Sequence, residues 1–297
     1  MPNEFIRLNS PGRSEQTLNE DYSSSHSDQT PCSATALSSA TLRKHPNFPS
    51  RILRRRRDIT VYLPPNYDEE PQRRFPILYL QDGQNLFDGA TSFIRGKYWH
   101  VAETANELIA AGMIQPLIIV GINHADEKRA QEYTPTPSKK LGGGKAERYG
   151  RFLLAELRPF LESEYRTLPG AHNTGLGGSS LGGLVSLYLG LRYPEVFGKI
   201  AALSPSVWWG GRWIHEFARK EKFPVRPRVW LDIGTQEGAR VVQDVRAFRD
   251  VLMAKGWIPG RELHYEEVPG GTHDEEAWAR RVGPFLRYLF PATKATV

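Results

Sequence analysis

The chain has 297 residues, 39% of them hydrophobic and 24% charged, enough to bury one large core. Mean hydropathy is -0.48, and no apolar run reaches the ~20 residues of a membrane-spanning helix, so no membrane partner is expected. The net charge of +6 admits an anionic partner, but no RNP, zinc-finger or helix-turn-helix pattern accompanies it, so nucleic acid is not expected either.

Residues 1–45 are rich in Ser, Thr, Asn, Asp and Gln and lack aliphatic clusters. Such a segment buries too little apolar surface to offset its ordering entropy, and it reads as a disordered extension ahead of one folded domain at 46–297. No stretch of the first thirty residues is apolar enough for the core of a secretory signal, which makes the cytoplasm the expected location. The single cysteine, Cys32, falls in this polar segment, so neither an internal disulfide nor a thiolate metal site is expected. Arg51, Arg54, Arg55, Arg56 and Arg57 supply much of the positive charge. They read as a solvated strand edge, where charge also discourages edge-to-edge pairing.

Residues 58–63 (DITVYL) alternate polar and apolar as a half-buried strand does, and Pro64-Pro65-Asn66-Tyr67 stops them. Residues 76–80 form a second strand, and residues 100–111 a helix ended by Gly112. The apolar run at 116–122 is of buried-strand type. Over 146–165, Tyr149, Phe152, Leu153, Leu157, Phe160 and Leu161 recur at helical spacing. A strand at 174–177 leads into a Gly/Ser turn and a helix at 181–193. Further strands follow at 199–203, 228–233 and 262–268, with helices at about 239–255 and 275–289. This alternation predicts a mostly parallel central sheet with helices on both faces.

Gly178, Ser180 and Gly182 form G-x-S-x-G between a strand and a helix, the nucleophile turn of an α/β-hydrolase fold. The glycines are needed because side chains two positions either side of the serine would clash. The helix that follows directs its dipole at developing negative charge. A serine hydroxyl needs a base, and in this fold the chain order is serine, acid, histidine. His273 fits, on the Gly-rich loop after the last strand, whereas His264 lies inside that strand and His172 on the far side of the strand leading to Ser180. Glu237 is the leading acid, just past the strand at 228–233, with Asp244 and Asp232 as alternatives. Two backbone N–H groups are needed for an oxyanion hole, and Leu181 and Gln84 are the expected donors.

Trp208, Trp209 and Trp213 follow the strand at 199–203 and serve either as an apolar pocket wall or as a cap on the core. Arg129 and Tyr133 lie on a long polar loop with the length of a binding loop. There Arg129 can hold an anionic substrate group or simply be a surface arginine, with Lys139, Lys140 and Lys145 nearby.

YLPPNY at 62–67, LYLQDGQNLFD at 78–88, GGSSLGG at 177–183, LSPSVWW at 203–209 and GGTHDEEAW at 270–278 together resemble an esterase family. It includes enterochelin esterase-like proteins, feruloyl and acetyl-xylan esterases, and S-formylglutathione hydrolase. The resemblance spans about residue 50 to 290. It implies a serine esterase without metal or cofactor, acting on a small-molecule ester, and supports Ser180, His273 and Glu237 at the matching motif positions. Two other readings remain open on sequence. One is an acyltransferase with the same triad, and the other a non-catalytic hydrolase-fold binding protein using the arginine cluster.

Overall fold

Period-two alternation and continuous apolar runs build an eight-stranded sheet in the computed structural model, which describes residues 40–139 and 142–292. In chain order the elements are β1 (Thr41–Ser50), β2 (Arg55–Leu63), β3 (Ile77–Gln81), α1 (Val101–Ala110), β4 (Ile118–Ile122), α2 (Arg129–Tyr133) and the short pair β5 (Pro137–Ser138) and β6 (Gly142–Gly143). Then come α3 (Ala146–Phe152), α4 (Arg158–Glu164), β7 (Thr174–Ser179), α5 (Leu181–Arg192), β8 (Lys199–Leu203) and α6 (Trp209–Lys220). The chain continues through β9 (Arg228–Gly234), α7 (Ala239–Ala254), β10 (Leu263–Val268) and α8 (Glu275–Leu289).

The strand order is β1-β2-β4-β3-β7-β8-β9-β10, with β2 antiparallel to both β1 and β4 and every other neighbouring pair parallel. Successive side chains point to opposite faces, so Ile118, Val120 and Ile122 of β4 join one core cluster and Ile119 the other. α1 and α8 cover the second cluster, while α3, α5 and α7 cover the first. Because β3, β7, β8, β9 and β10 are consecutive neighbours, the loops leaving their C-terminal ends lie side by side on one rim.

Three features depart from the sequence reading. Thr41–His45 belong to β1, so the first strand begins ahead of the boundary expected at residue 46. Residues 1–39, Cys32 among them, lie outside the described residues. Arg57, read as part of a solvated edge, has a side chain only 1% exposed. Glu132 of α2 receives it at 2.9 Å and also takes Arg55 at 3.1 Å, while the rings of Phe152 and Tyr149 flank its guanidinium. Arg51, Arg54 and Arg56 do stay at the surface. Finally, α6 is a helix that periodicity did not announce. Gly210, Gly211 and Arg212 near its start take left-handed φ values of 58°, 68° and 67°, which breaks the helical repeat there.

Candidate active site

β7 passes into α5 through one residue, Ser180, whose φ of 55° and ψ of -121° are costly for a non-glycine. The surroundings hold it there. Its amide donates to Leu203 O and its carbonyl accepts from Ser206 N, each at 3.0 Å. The flanking glycines are needed for space: a Cβ on Gly178 would sit 2.9 Å from Gln81 Cβ, and one on Gly182 would sit 3.0 Å from Asp82 Oδ2. The result presents Ser180 Oγ 3.0 Å from His273 Nε2 and 3.4 Å from Ser206 Oγ.

His273 arrives on the loop after β10. Gly270 there has φ 68°, and Gly271 packs so closely on Gly234 that a side chain on either would collide with the other's backbone. His273 Nδ1 lies 2.6 Å from Glu237 Oε2, and Trp278 meets the ring edge-on at 4.9 Å. The other carboxylate oxygen, Glu237 Oε1, accepts from Gly234 N at 2.8 Å and from Ser204 Oγ at 2.5 Å. Of the three carboxylates left open by the sequence, Glu237 is the one at His273. Asp232 is wholly buried beneath it and bonded to Trp230, and Asp244 pairs with Arg212 on the α6–α7 side.

A family model described as "Putative esterase" matches residues 50–288. The chain belongs to this esterase family. YjcH of Bacillus subtilis (strain 168) is 31% identical over 258 residues, spanning 82% of this chain and 95% of that protein. The iron(III) salmochelin esterase of Escherichia coli O6:H1 is 26% identical over 239 residues, 75% of this chain and 51% of that one. Among solved structures, an IroE-like serine hydrolase from Shewanella oneidensis superposes with a TM-score of 0.68 at 25% identity, covering 84% of this chain and 80% of its own. The fold is that of the α/β hydrolases, and the protein is a carboxylic ester hydrolase.

In the esterase, Ser180 and His273 open onto a cleft of about 310 Å³ whose other walls include Asp82, Asn85, Phe93 and Arg129. Arg129 reaches Asp82 through Nε at 2.7 Å and Nη2 at 2.8 Å, a bidentate pair. Burial works against the guanidinium charge, but the adjacent Asp82 carboxylate outweighs it and holds the Arg129 pKa above its ordinary value. Tyr133, expected on a binding loop, is fully buried instead. Its hydroxyl accepts from Asp82 N at 3.3 Å and its ring lies 5.3 Å beneath the Arg129 guanidinium, so it supports the cleft without lining it.

Other expected residues point away. Trp209 is buried and donates to Thr136 O at 2.9 Å, Trp208 packs outside it, and Trp213 stacks on Phe217, which makes this group a cap on the core. Lys145 bonds Gln131, and Lys140 lies outside the described residues. Gln84 sits in a 3-10 turn, Gly83–Asn85, where residues three apart share a side. Asp82 and Asn85 therefore face the serine together, and the Gln84 side chain lines a neighbouring cavity with Leu42 and Phe87, whereas the oxyanion role expected of Gln84 belongs to its backbone N–H. Leu181 begins α5 directly after Ser180, where the first helical N–H groups have no partner within the helix.

Sequence reasoning missed Asn85 and Glu275. Asn85 Nδ2 donates to the buried Glu275 Oε1 at 3.1 Å, and Asn85 Oδ1 accepts from Phe93 N at 2.9 Å. This clamp pins Phe93, 79% exposed, at the cleft rim. Burial pushes the Glu275 carboxyl above its ordinary pKa, with the Asp82 and Asp274 charges adding to it. The spacing of Asp82 and Asn85 in a tight turn is the signal that could have found Asn85. Among the described residues, no helix is long and apolar enough to cross a membrane.

Proposed function

We propose that the esterase cleaves small-molecule esters in two steps, with Ser180 as nucleophile, His273 as base and then acid, and Glu237 orienting the imidazole. The observation that carries this reading is the unbroken hydrogen-bonded line from Ser180 Oγ through both ring nitrogens of His273 to Glu237. A carboxylate at Nδ1 selects the tautomer that leaves Nε2 free to accept the serine proton. As Oγ attacks the ester carbonyl, that proton passes to Nε2, and the new positive charge forms beside Glu237. The Leu181 N–H and the N-terminal end of α5 stabilise the oxyanion. The alcohol leaves with the proton from Nε2. Water then gives its proton to Nε2 and attacks the acyl carbonyl, and Ser180 departs reprotonated. The His273 side chain is 42% exposed, so water has access to the acyl-enzyme, which favours hydrolysis over transfer to a second acceptor.

Arg129 and Phe93 suggest the substrate class: an ester with an oxygen-rich or anionic group beside an apolar one. Asp82 engages Nε and Nη2 of Arg129, and the guanidinium carries further N–H donors on Nη1. The relative named as a salmochelin esterase makes siderophore esters the first natural substrates to try. The test is hydrolysis of short-chain p-nitrophenyl esters by wild type, Ser180→Ala, His273→Ala and Glu237→Ala. Loss in the first two variants and a sharp fall in the third support the mechanism; wild-type turnover that survives Ser180→Ala overturns it.

A further inference from the structure

Behind Glu237 lies a set of buried polar groups that touches neither the cleft nor Ser180. Arg281, on α8, is 3% exposed and its partner Asp232, on β9, is not exposed at all. Arg281 Nη1 reaches Asp232 Oδ1 and Ser204 Oγ, each at 2.8 Å, and Nη2 lies 3.7 Å from Glu237 Oε1. Asp232 also accepts from Trp230 Nε1 at 2.7 Å and from the Ser204 amide at 3.1 Å. A buried charge is tolerated only with close partners of opposite sign and hydrogen bonds. The Arg281 guanidinium lies between two carboxylates and is hydrogen-bonded through Nη1, so its charge depends on both of them.

Ser204 decides the direction of the link. A hydroxyl offers one proton and two lone pairs. Arg281 Nη1 and the Trp278 indole N–H can only donate, and both are directed at Ser204 Oγ, at 2.8 and 3.2 Å. The Ser204 proton therefore goes to Glu237 Oε1, 2.5 Å away. Ser204 sits at φ 44°, a left-handed conformation that a non-glycine keeps only where its surroundings impose it. Here the Ser204 amide is turned onto Asp232, which ties the same residue to both carboxylates. Gly271 completes the arrangement, since a Cβ there would lie 2.8 Å from Arg281 Nη2.

We propose that Arg281, with Asp232 as its counter-charge, is a positioning residue that holds Glu237 in line with His273 through the Ser204 hydroxyl. The proposal rests on the Ser180–His273–Glu237 reading and adds to it the reason a buried glutamate stays aimed at the imidazole. Ser204→Ala removes the bond to Glu237 without changing any charge. Its loss is expected in kcat, roughly ten- to a hundredfold, because a charge-assisted hydrogen bond is removed. KM should stay within about twofold, since nothing in the set touches substrate.

The experiment measures kcat and KM for p-nitrophenyl acetate, together with the proton NMR resonance of His273 Nδ1–H, in wild type, Ser204→Ala and Arg281→Lys. The expected result is a kcat loss at constant KM in both variants, larger in Ser204→Ala, with the Nδ1 proton moved upfield as its bond to Glu237 weakens. Unchanged kcat with an unmoved resonance in both variants overturns the proposal. Should Arg281→Lys fail to fold, the smaller and uncharged Ser204→Ala change decides by the same criteria. The resonance is read without substrate, so failure of the triad reading, seen as turnover surviving Ser180→Ala, is distinguished from failure of this one.

Discussion

Two arginine–aspartate pairs flank Ser180 and His273, and they differ in what the arginine faces. Arg129 and Asp82 stand at the cleft, with the arginine side chain 26% exposed; Arg281 and Asp232 are 3% and 0% exposed. Arg129 is backed by the Tyr133 ring and carried on α2, which Glu132 ties down to Arg55 and Arg57. One side of its guanidinium remains in the cleft, where it can meet a ligand. Arg281 spends its contacts on Asp232 and Ser204 inside the protein. On the proposed reading, the same kind of ion pair serves recognition where solvent reaches it and bracing where solvent does not. The dry pair is also the more dangerous to break, because desolvation of the surviving charge is then uncompensated.

Several substitutions can break or sharpen this contrast. The largest effect is expected on the line that both pairs flank: Ser180→Ala or His273→Ala should lower kcat by roughly 10⁴- to 10⁶-fold. Glu237→Gln should cost on the order of 10²- to 10⁴-fold in steady-state assays, because the imidazole loses its tautomer control. Next comes stability. Arg281→Ala should destabilise the fold by about 3–5 kcal/mol in urea titrations. Arg129→Ala should cost only ~1 kcal/mol, given partial exposure, and should instead raise KM for esters with an anionic group. Equal costs for the two would collapse the distinction.

At the cleft rim, Phe93→Ala should change stability by no more than ~0.5 kcal/mol, since the ring is exposed in the free enzyme. It should weaken KM for longer acyl chains more than for acetate. The smallest effect belongs to a surface pair that calibrates both. Arg246 and Tyr265 hold the Glu267 carboxyl down to about 2. A depressed carboxylate contributes stability above its unfolded value of 4.5, and the contribution is lost as pH falls toward 2. Thermal melts of wild type and Glu267→Gln should therefore diverge slightly near neutrality and converge at low pH, with the gap shrinking in high salt.

Much of this was legible in the residues. The parallel strands announce themselves as apolar runs, and the order Ser180, Glu237, His273 at three strand ends follows from where glycines permit sharp turns. What escaped was set by direction and environment. β1 is mostly exposed along its length, so it carries little hydrophobic pattern and is held by pairing with β2. The Gln84 side chain turns from the cleft because the phase of a three-residue 3-10 turn decides which neighbours face the serine. Tyr133 and Trp209 were expected at the cleft, but their side chains turn into the core, and Trp208 packs on the outside of Trp209. Arg57 read as a surface charge and Arg281 carried no motif, because only the fold reveals Glu132 and Asp232 opposite them.

The most direct test of the central claim is mass spectrometry of the esterase acid-quenched during turnover of p-nitrophenyl acetate, followed by peptide mapping. An acetyl group is expected on the peptide containing Ser180 and is expected to be absent in Ser180→Ala. Turnover at the wild-type rate with no acyl adduct on Ser180, and retained in Ser180→Ala, would contradict the claim.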